Sequence, residues 1–458
     1  MSTDLTTALP SEVLECIFDY CADNHIPILG VCVRWRQIAL EAPSFWASIS
    51  LTSTTHGAVE YFYYRLQLTR GRPFAVKIRH PRADVAPEVL YTLSAFLPYI
   101  VRLELDIYTK KPDAVFWFLS LPAPQLIFLG IMIAPLRLSV LPSNLHDMRT
   151  TNLRSLVLEC TVFHLEQVRH LPSVESLMLY TRFLIASILH MPAISAIFPN
   201  LRRLCLDLPI NYYDLSQALA RLECLFVMGS YAIMRTLENP FHPIPRVAIY
   251  EPDRDHPVLL ESLGHDDSLE FFFVSGMLRY VRFGFWRRII GYQFRNLRTQ
   301  ITRSIYYDWY RCPSPMLVIN RPDLFDRVTS LVIFSGVWNE YVGRPNMFPN
   351  VQQVRIMMDP NEVQLLPIKA LQFYDSLRLV ILHAKRGDCI LLDAYDLDFL
   401  AISAFRRYKH HFPLDLRLEN VGISKTDEDL WSNRSFRLVH SETPDDWTYP
   451  DMPDFICR

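Results

Sequence analysis

Eight arginines and ten aromatic residues share the stretch from Arg279 to Arg311, with no lysine and a single acid, Asp308. The arginines are Arg279, Arg282, Arg287, Arg288, Arg295, Arg298, Arg303 and Arg311. Tyr280, Phe283, Phe285, Trp286, Tyr292, Phe294, Tyr306, Tyr307, Trp309 and Tyr310 are interleaved with them. Guanidinium groups bind phosphate and carboxylate as forks and stack on rings. Three chemistries fit this composition. The aromatics can form a core with the arginines at the surface. The segment can receive an acidic or phosphorylated protein segment. It can line a groove for single-stranded nucleic acid. An acidic, proline-rich end follows, with Glu442, Asp445, Asp446, Asp451 and Asp454, and it is a candidate to dock on the arginines. Elsewhere the side chains do not assemble a reactive set. His410-His411 is an isolated pair in a basic, aromatic stretch. Cys389 follows Arg386-Gly387-Asp388 but has no base nearby in sequence. Asp393, Asp396 and Asp398 fall on the wet side of an amphipathic helical pattern. No phosphate-binding glycine loop, zinc-protease motif or nucleophile elbow occurs. The chain therefore reads as a non-enzyme that needs no cofactor or metal.

Composition sets the frame for these residues. Half of the 458 residues are hydrophobic and 21% are charged, as in a folded globular chain. A net charge of −2 argues against general affinity for polyanions. Nine scattered cysteines without paired spacing suit a reducing, cytoplasmic or nuclear setting. No apolar run reaches membrane-spanning length and no signal peptide is recognisable, so no membrane association is expected. Thirty-two prolines against thirteen glycines favour many short elements over long helices.

The elements that carry these residues repeat. Ile100-x-x-Leu103-x-Leu105 is followed by equivalents beginning at Leu126, Leu153, Val174, Leu201 and Leu222. The pattern returns at Val328, Val351 and Leu377. Within the two runs the steps are 21 to 27 residues. That period, with alternating apolar residues on a short strand, resembles leucine-rich repeats, here degenerate because the regular asparagine after the strand is missing. Stacked units of this kind form a solenoid. Positions between the apolar residues would then face outward; Glu104, Asp106, Glu159, Tyr180 and Asp207 are the candidate substrate contacts there, with Arg282, Arg287, Arg288 and Arg295 from the arginine segment.

The first fifty residues follow another pattern. Pro10 presets a helix start, Glu12 and Glu15 suit its positive end, and Val13, Leu14, Ile17 and Phe18 recur at helical spacing. A second helical stretch runs from Pro27 to Leu40, and Pro43 bars its extension. Helices this apolar carry more greasy surface than fifty residues can bury alone.

Leu9-Pro10-x-Glu12-Val13-Leu14-x-x-Ile17-Phe18, then Val31-Cys32-x-x-Trp35-Arg36-x-Ile38-Ala39, then Pro43-x-x-Trp46, resembles an F-box, in phrasing closest to those of mushroom-type fungi. The resemblance implies a substrate-recruiting adaptor of a cullin–RING ubiquitin ligase. Leu9, Pro10, Val13, Leu14, Ile17, Phe18, Val31, Cys32 and Trp35 would meet the Skp-type linker, and the repeats would hold a protein substrate. A repeat scaffold without ligase engagement and a nucleic-acid binder are the alternatives. The expected organisation is α/β: a helical F-box over 1–50, a helical connector over 51–95, degenerate repeats with short parallel strands over 96–440, and the acidic tail over 441–458.

Overall fold

Alternating Leu, Val and Ile fit a pleated surface buried on one side, and proline-rich connections keep each strand short. The computed structural model describes residues 9–20, 25–79, 85–108, 113–134, 152–159, 170–180, 191–207, 221–228, 244–250, 257–279, 286–308, 322–334, 348–358, 376–384, 390–392, 414–419, 421–423 and 436–441. The chain is mixed α/β and divides into two units, residues 1–221 and 222–458.

The first unit opens with four short helices, α1 (Ser11–Tyr20), α2 (His25–Val31), α3 (Val33–Glu41) and α4 (Pro43–Trp46). The stretch expected as one helix from Pro27 to Leu40 is two. Gly30 weakens helix propagation at the join. Cys32 then adopts an extended backbone, and its Sγ accepts a hydrogen bond from the Trp35 amide at 3.4 Å, capping α3. Strands β1 (Ser48–Leu51), β2 (Phe74–Arg79), β3 (Ile100–Tyr108), β4 (Phe128–Ala134), β5 (Ser155–Glu159), β6 (Ser176–Tyr180) and β7 (Arg203–Asp207) follow. Each pairs in parallel with the next. The interval read as a helical connector does hold two helices, α5 (His56–Leu68) and α6 (Ala86–Ser94), but β2 lies between them and belongs to the sheet. Helices α7 (Asp113–Leu119) and α8 (Met191–Ile197) complete the unit's described helices.

Register aligns the repeat. Leu103, Leu129, Leu156, Leu177 and Leu204 are partners across β3 to β7, as are Leu105, Ile131, Leu158, Leu179 and Leu206. All ten are buried. A slip of one residue would turn both rows to the opposite face.

In the second unit, strands β8 (Cys224–Met228), β9 (Arg246–Tyr250), β10 (Leu269–Arg279), β11 (Trp286–Asn296) and β12 (Thr302–Asp308) precede β13 (Val328–Phe334), β14 (Gln353–Met358), β15 (Leu379–Ala384), β16 (Ile390–Leu392), β17 (Leu414–Glu419), β18 (Val421–Ile423) and β19 (Phe436–Ser441). Its main sheet runs β8-β9-β12-β11-β10-β13-β14-β15-β17-β19, with β11 alone antiparallel to its neighbours. β16 and β18 pair separately. The repeat does not lapse after β8: Ile244-x-x-Val247-x-Ile249 supplies β9, with Val247 opposite Leu225 and Ile249 opposite Val227. The arginine segment then inserts an antiparallel turn-back into an otherwise parallel order. Gly291 is needed there, because a Cβ would overlap the Ile305 carbonyl on β12.

Within each unit a side-chain clasp joins neighbouring repeats. Asn152 Nδ2 donates to the Pro124 carbonyl at 2.9 Å and Asn200 Nδ2 to the Pro172 carbonyl at 2.9 Å. In the second unit Asn350 Nδ2 reaches the Asp326 carbonyl at 2.7 Å and Arg327 Nε the Asp267 carbonyl at 3.0 Å. Each donor stands immediately before the first apolar residue of its repeat motif and reaches the turn ahead of the neighbouring strand. Asn200→Ala is expected to cost about 1 kcal/mol, the usual net worth of such a bond. Leu204→Ala, at a buried core position, is expected to cost about 2–5 kcal/mol. Urea unfolding of both variants checks the order.

Candidate functional site: an apolar ridge and a charged sheet face

The nine residues assigned to linker docking fall into two groups. Leu14 and Phe18 are buried with Ile28 and Ala39 in the centre of the N-terminal bundle. Leu9 and Trp35 pack against this cluster, and Trp35 meets Phe18 edge-on at 5.3 Å between ring centres. Arg34 fixes the entry to α1 by donating to the Leu9 carbonyl at 2.5 Å, while the Pro10 carbonyl accepts from the Leu14 amide at 3.3 Å. Cys32 is occupied as the cap of α3. Leu9, Leu14, Phe18, Cys32 and Trp35 build the bundle, so Leu14 and Phe18 are not free to form a contact surface, whereas Pro10 is exposed.

Val13, Ile17 and Val31 do the opposite. They are 42%, 37% and 55% exposed, and Val33 is exposed beside them in sequence. Val13 and Ile17 stand one turn apart on α1, with exposed Cys16 between them, so they share a face. The bundle thus carries apolar side chains on both sides of α1, and one side is left in water.

Arg65 on α5 ties this bundle to the sheet. Its guanidinium is buried, donates from Nε to the Phe45 carbonyl at 2.9 Å and from Nη2 to the Ser48 carbonyl at 2.7 Å, and lies over the Phe45 ring. Burial lowers its pKa, with Tyr61 acting in the other direction.

The outward sheet positions of the first unit also meet in register. Asp106, Met132, Glu159, Tyr180 and Asp207 form one row, and Lys77, Glu104, Gly130, Val157, Met178 and Cys205 the next. Neighbours in such a row are about 4.8 Å apart along the sheet. The side chains of Glu159, Tyr180 and Asp207 lie outside the described residues. Glu104 is half-buried between Lys77 at 2.5 Å and Arg102 at 2.8 Å, and Arg102 covers the Phe128 ring at 3.7 Å. Met132, Met178 and Cys205 are buried, whereas Lys77, Glu104 and Asp106 on β2 and β3 and Val157 on β5 are partly accessible.

The arginine segment is not a single patch. Arg282 and the docking partner suggested for the segment, the acidic tail, lie outside the described residues, as do the side chains of Arg287 and Arg288. Arg288 and Arg295 are seven residues apart on one strand, about 23 Å. Arg295 pairs with Glu270 and lies over Phe272 at 5.2 Å. Arg303 is fully buried in the apolar row of Leu225 and Val247. It donates to Ser262 Oγ at 2.5 Å and to the Ile244 and Pro245 carbonyls at 3.0 and 3.2 Å. Burial lowers its pKa to about 9. Tyr292, Phe294, Tyr306 and Tyr307 are buried, with Phe271, Phe325 and Phe348 packed among them. Further along the same sheet Glu419 pairs with Arg355 and, at 2.9 Å, with His383; all three are buried.

Among the described residues no cluster of three or more His, Cys, Asp or Glu side chains is placed to hold a metal, and no helix is long and apolar enough to cross a membrane. No family model matches this chain, and no curated protein matches it.

Glu104 gives the accessible face a pH signature. Burial opposes its charge, but Lys77 and Arg102 outweigh burial and hold the carboxyl below its ordinary value. A carboxyl with a lowered folded pKa adds stability above its unfolded pKa and loses it as pH falls through the folded value. The melting-temperature advantage of the natural chain over Glu104→Gln should therefore shrink between about pH 6 and about pH 3. Thermal scans across that range check the sign.

Proposed function

We propose that this protein is a substrate-recruiting adaptor of an SCF-type cullin–RING ubiquitin ligase. The F-box resemblance of residues 1–50 supplies the family. One observation carries the reading: Val13, Ile17 and Val31 stay exposed on a bundle whose interior is already filled by Leu14, Phe18, Ile28 and Ala39. Apolar surface left outside a complete small core marks a docking face. The Skp-type linker would cover it, and the chain would perform no chemistry itself. The degenerate repeats would present a protein substrate with the charged sheet face around Lys77, Arg102, Glu104 and Asp106. Arg65 would keep the docking end at a fixed angle to that face. The nucleic-acid reading has less support, because Tyr292, Phe294, Tyr306 and Tyr307 are buried where stacking on bases needs open rings.

The test follows from the division of α1. Val13→Asp with Ile17→Asp should leave stability within about 0.5 kcal/mol, since both positions are at the surface. It should weaken capture of purified Skp-type linker by at least about 100-fold, because two apolar contacts of about 1.5–3 kcal/mol each are lost. Leu14→Asp, by contrast, should unfold the bundle. Linker capture unchanged by the double substitution, or absent from the natural chain, would overturn the reading.

A further inference from the structure

Helices α6 and α7 pack side by side in the first unit and bury Val89, Leu90 and Leu93 from one, Val115, Phe118 and Leu119 from the other. Tyr91 and Trp117 point away from these core contacts. They are 71% and 42% exposed, and their rings stack on each other at 6.0 Å between centres and 16° between planes. The two positions share a local device. Ser94 Oγ donates to the Tyr91 carbonyl and Ser120 Oγ to the Trp117 carbonyl, each at 2.6 Å, which firms the final turn under each ring. Scattered exposed aromatics are ordinary; a stacked pair held open to water on two helices is a ready-made platform.

The described charges on these two helices have one sign. Glu88 precedes Tyr91 by one turn on α6, and Asp113 precedes Trp117 by one turn on α7. Both are exposed, and neither helix bears a lysine or arginine. Lys110 and Lys111 stand before α7, outside the described residues. Ring faces carry the negative part of the aromatic quadrupole, so rings and carboxylates favour the same kind of ligand, a cation that can lie flat. A guanidinium is planar and weakly hydrated, which suits it better than an ammonium.

We propose that the Tyr91–Trp117 stack, with Glu88 and Asp113 at its rim, docks an arginine-bearing extended segment of another protein. The guanidinium lies over the rings and its edge faces the carboxylates. This surface is separate from the apolar ridge on α1 and from the charged sheet face, and it stands whether or not the chain serves a ligase.

The experiment uses the full chain and a fluorescent peptide of alternating glycine and arginine, compared with the same peptide carrying citrulline, a neutral near-isostere. Anisotropy should show the citrulline peptide binding at least about 10-fold more weakly, as expected when charge and cation–π attraction both vanish. Tyr91→Leu and Trp117→Leu keep apolar bulk but remove the ring face; each should weaken the arginine peptide by about 2–5-fold. Glu88→Gln with Asp113→Asn should flatten the salt dependence of binding. Equal binding of the two peptides, or binding unchanged in both leucine variants at unchanged melting temperature, would overturn the proposal. So would sedimentation showing that the stack is covered by a second copy of the chain at the concentrations used.

Discussion

The architecture depends on register. In the first unit every described strand pair from β3 to β7 sets the same two inward positions opposite each other, so leucine meets leucine or isoleucine in rows that cross the sheet. Side chains on a strand alternate, so burying these rows commits the intervening residues to the other face. That is why Asp106, Glu159, Tyr180 and Asp207, scattered over a hundred residues of sequence, fall in one row. The asparagine and arginine clasps hold the turns ahead of the strands to one another, and so resist the slip that would exchange the faces.

The N-terminal bundle obeys a different constraint. A short helix can present only one side to a small core, and α1 has apolar residues on two. Leu14 and Phe18 fill the interior, leaving Val13 and Ile17 in water. Arg65 then fixes this surplus to the rest of the unit by two backbone carbonyls on either side of the junction between α4 and β1. A buried guanidinium held by carbonyls is costly to disturb. The proposed adaptor needs such a joint, because it must hold its substrate at a set distance from a ligase.

Much of the sheet was legible from spacing alone, because inward strand positions accept few residue types. Ile244-x-x-Val247-x-Ile249 has the same spacing, but the arginine-rich stretch after it does not continue the pattern, so nothing on that side marks it as one of a series. The clasp asparagines, Asn152, Asn200 and Asn350, stand one residue before each motif, whereas the asparagine of regular leucine-rich repeats follows the strand. Arg303 was not legible: charge reads as surface, and its burial is made tolerable by Ser262 Oγ and by the carbonyls of Ile244 and Pro245, 59 and 58 residues away. Nor could periodicity say which half of α1 turns inward. Spacing groups Leu14 with Phe18 and Val13 with Ile17, and the choice between them is made by Ile28, Ala39 and Trp35 on the other helices.

Hydrogen–deuterium exchange of the full chain, with and without purified Skp-type linker, decides whether α1 offers a surplus apolar face to another polypeptide. If it does, protection rises over residues 11–20 and 28–36 and changes little in β3 to β7. Protection confined to the sheet, or no change anywhere at saturating linker, would mean that the exposed side of α1 is not a docking face.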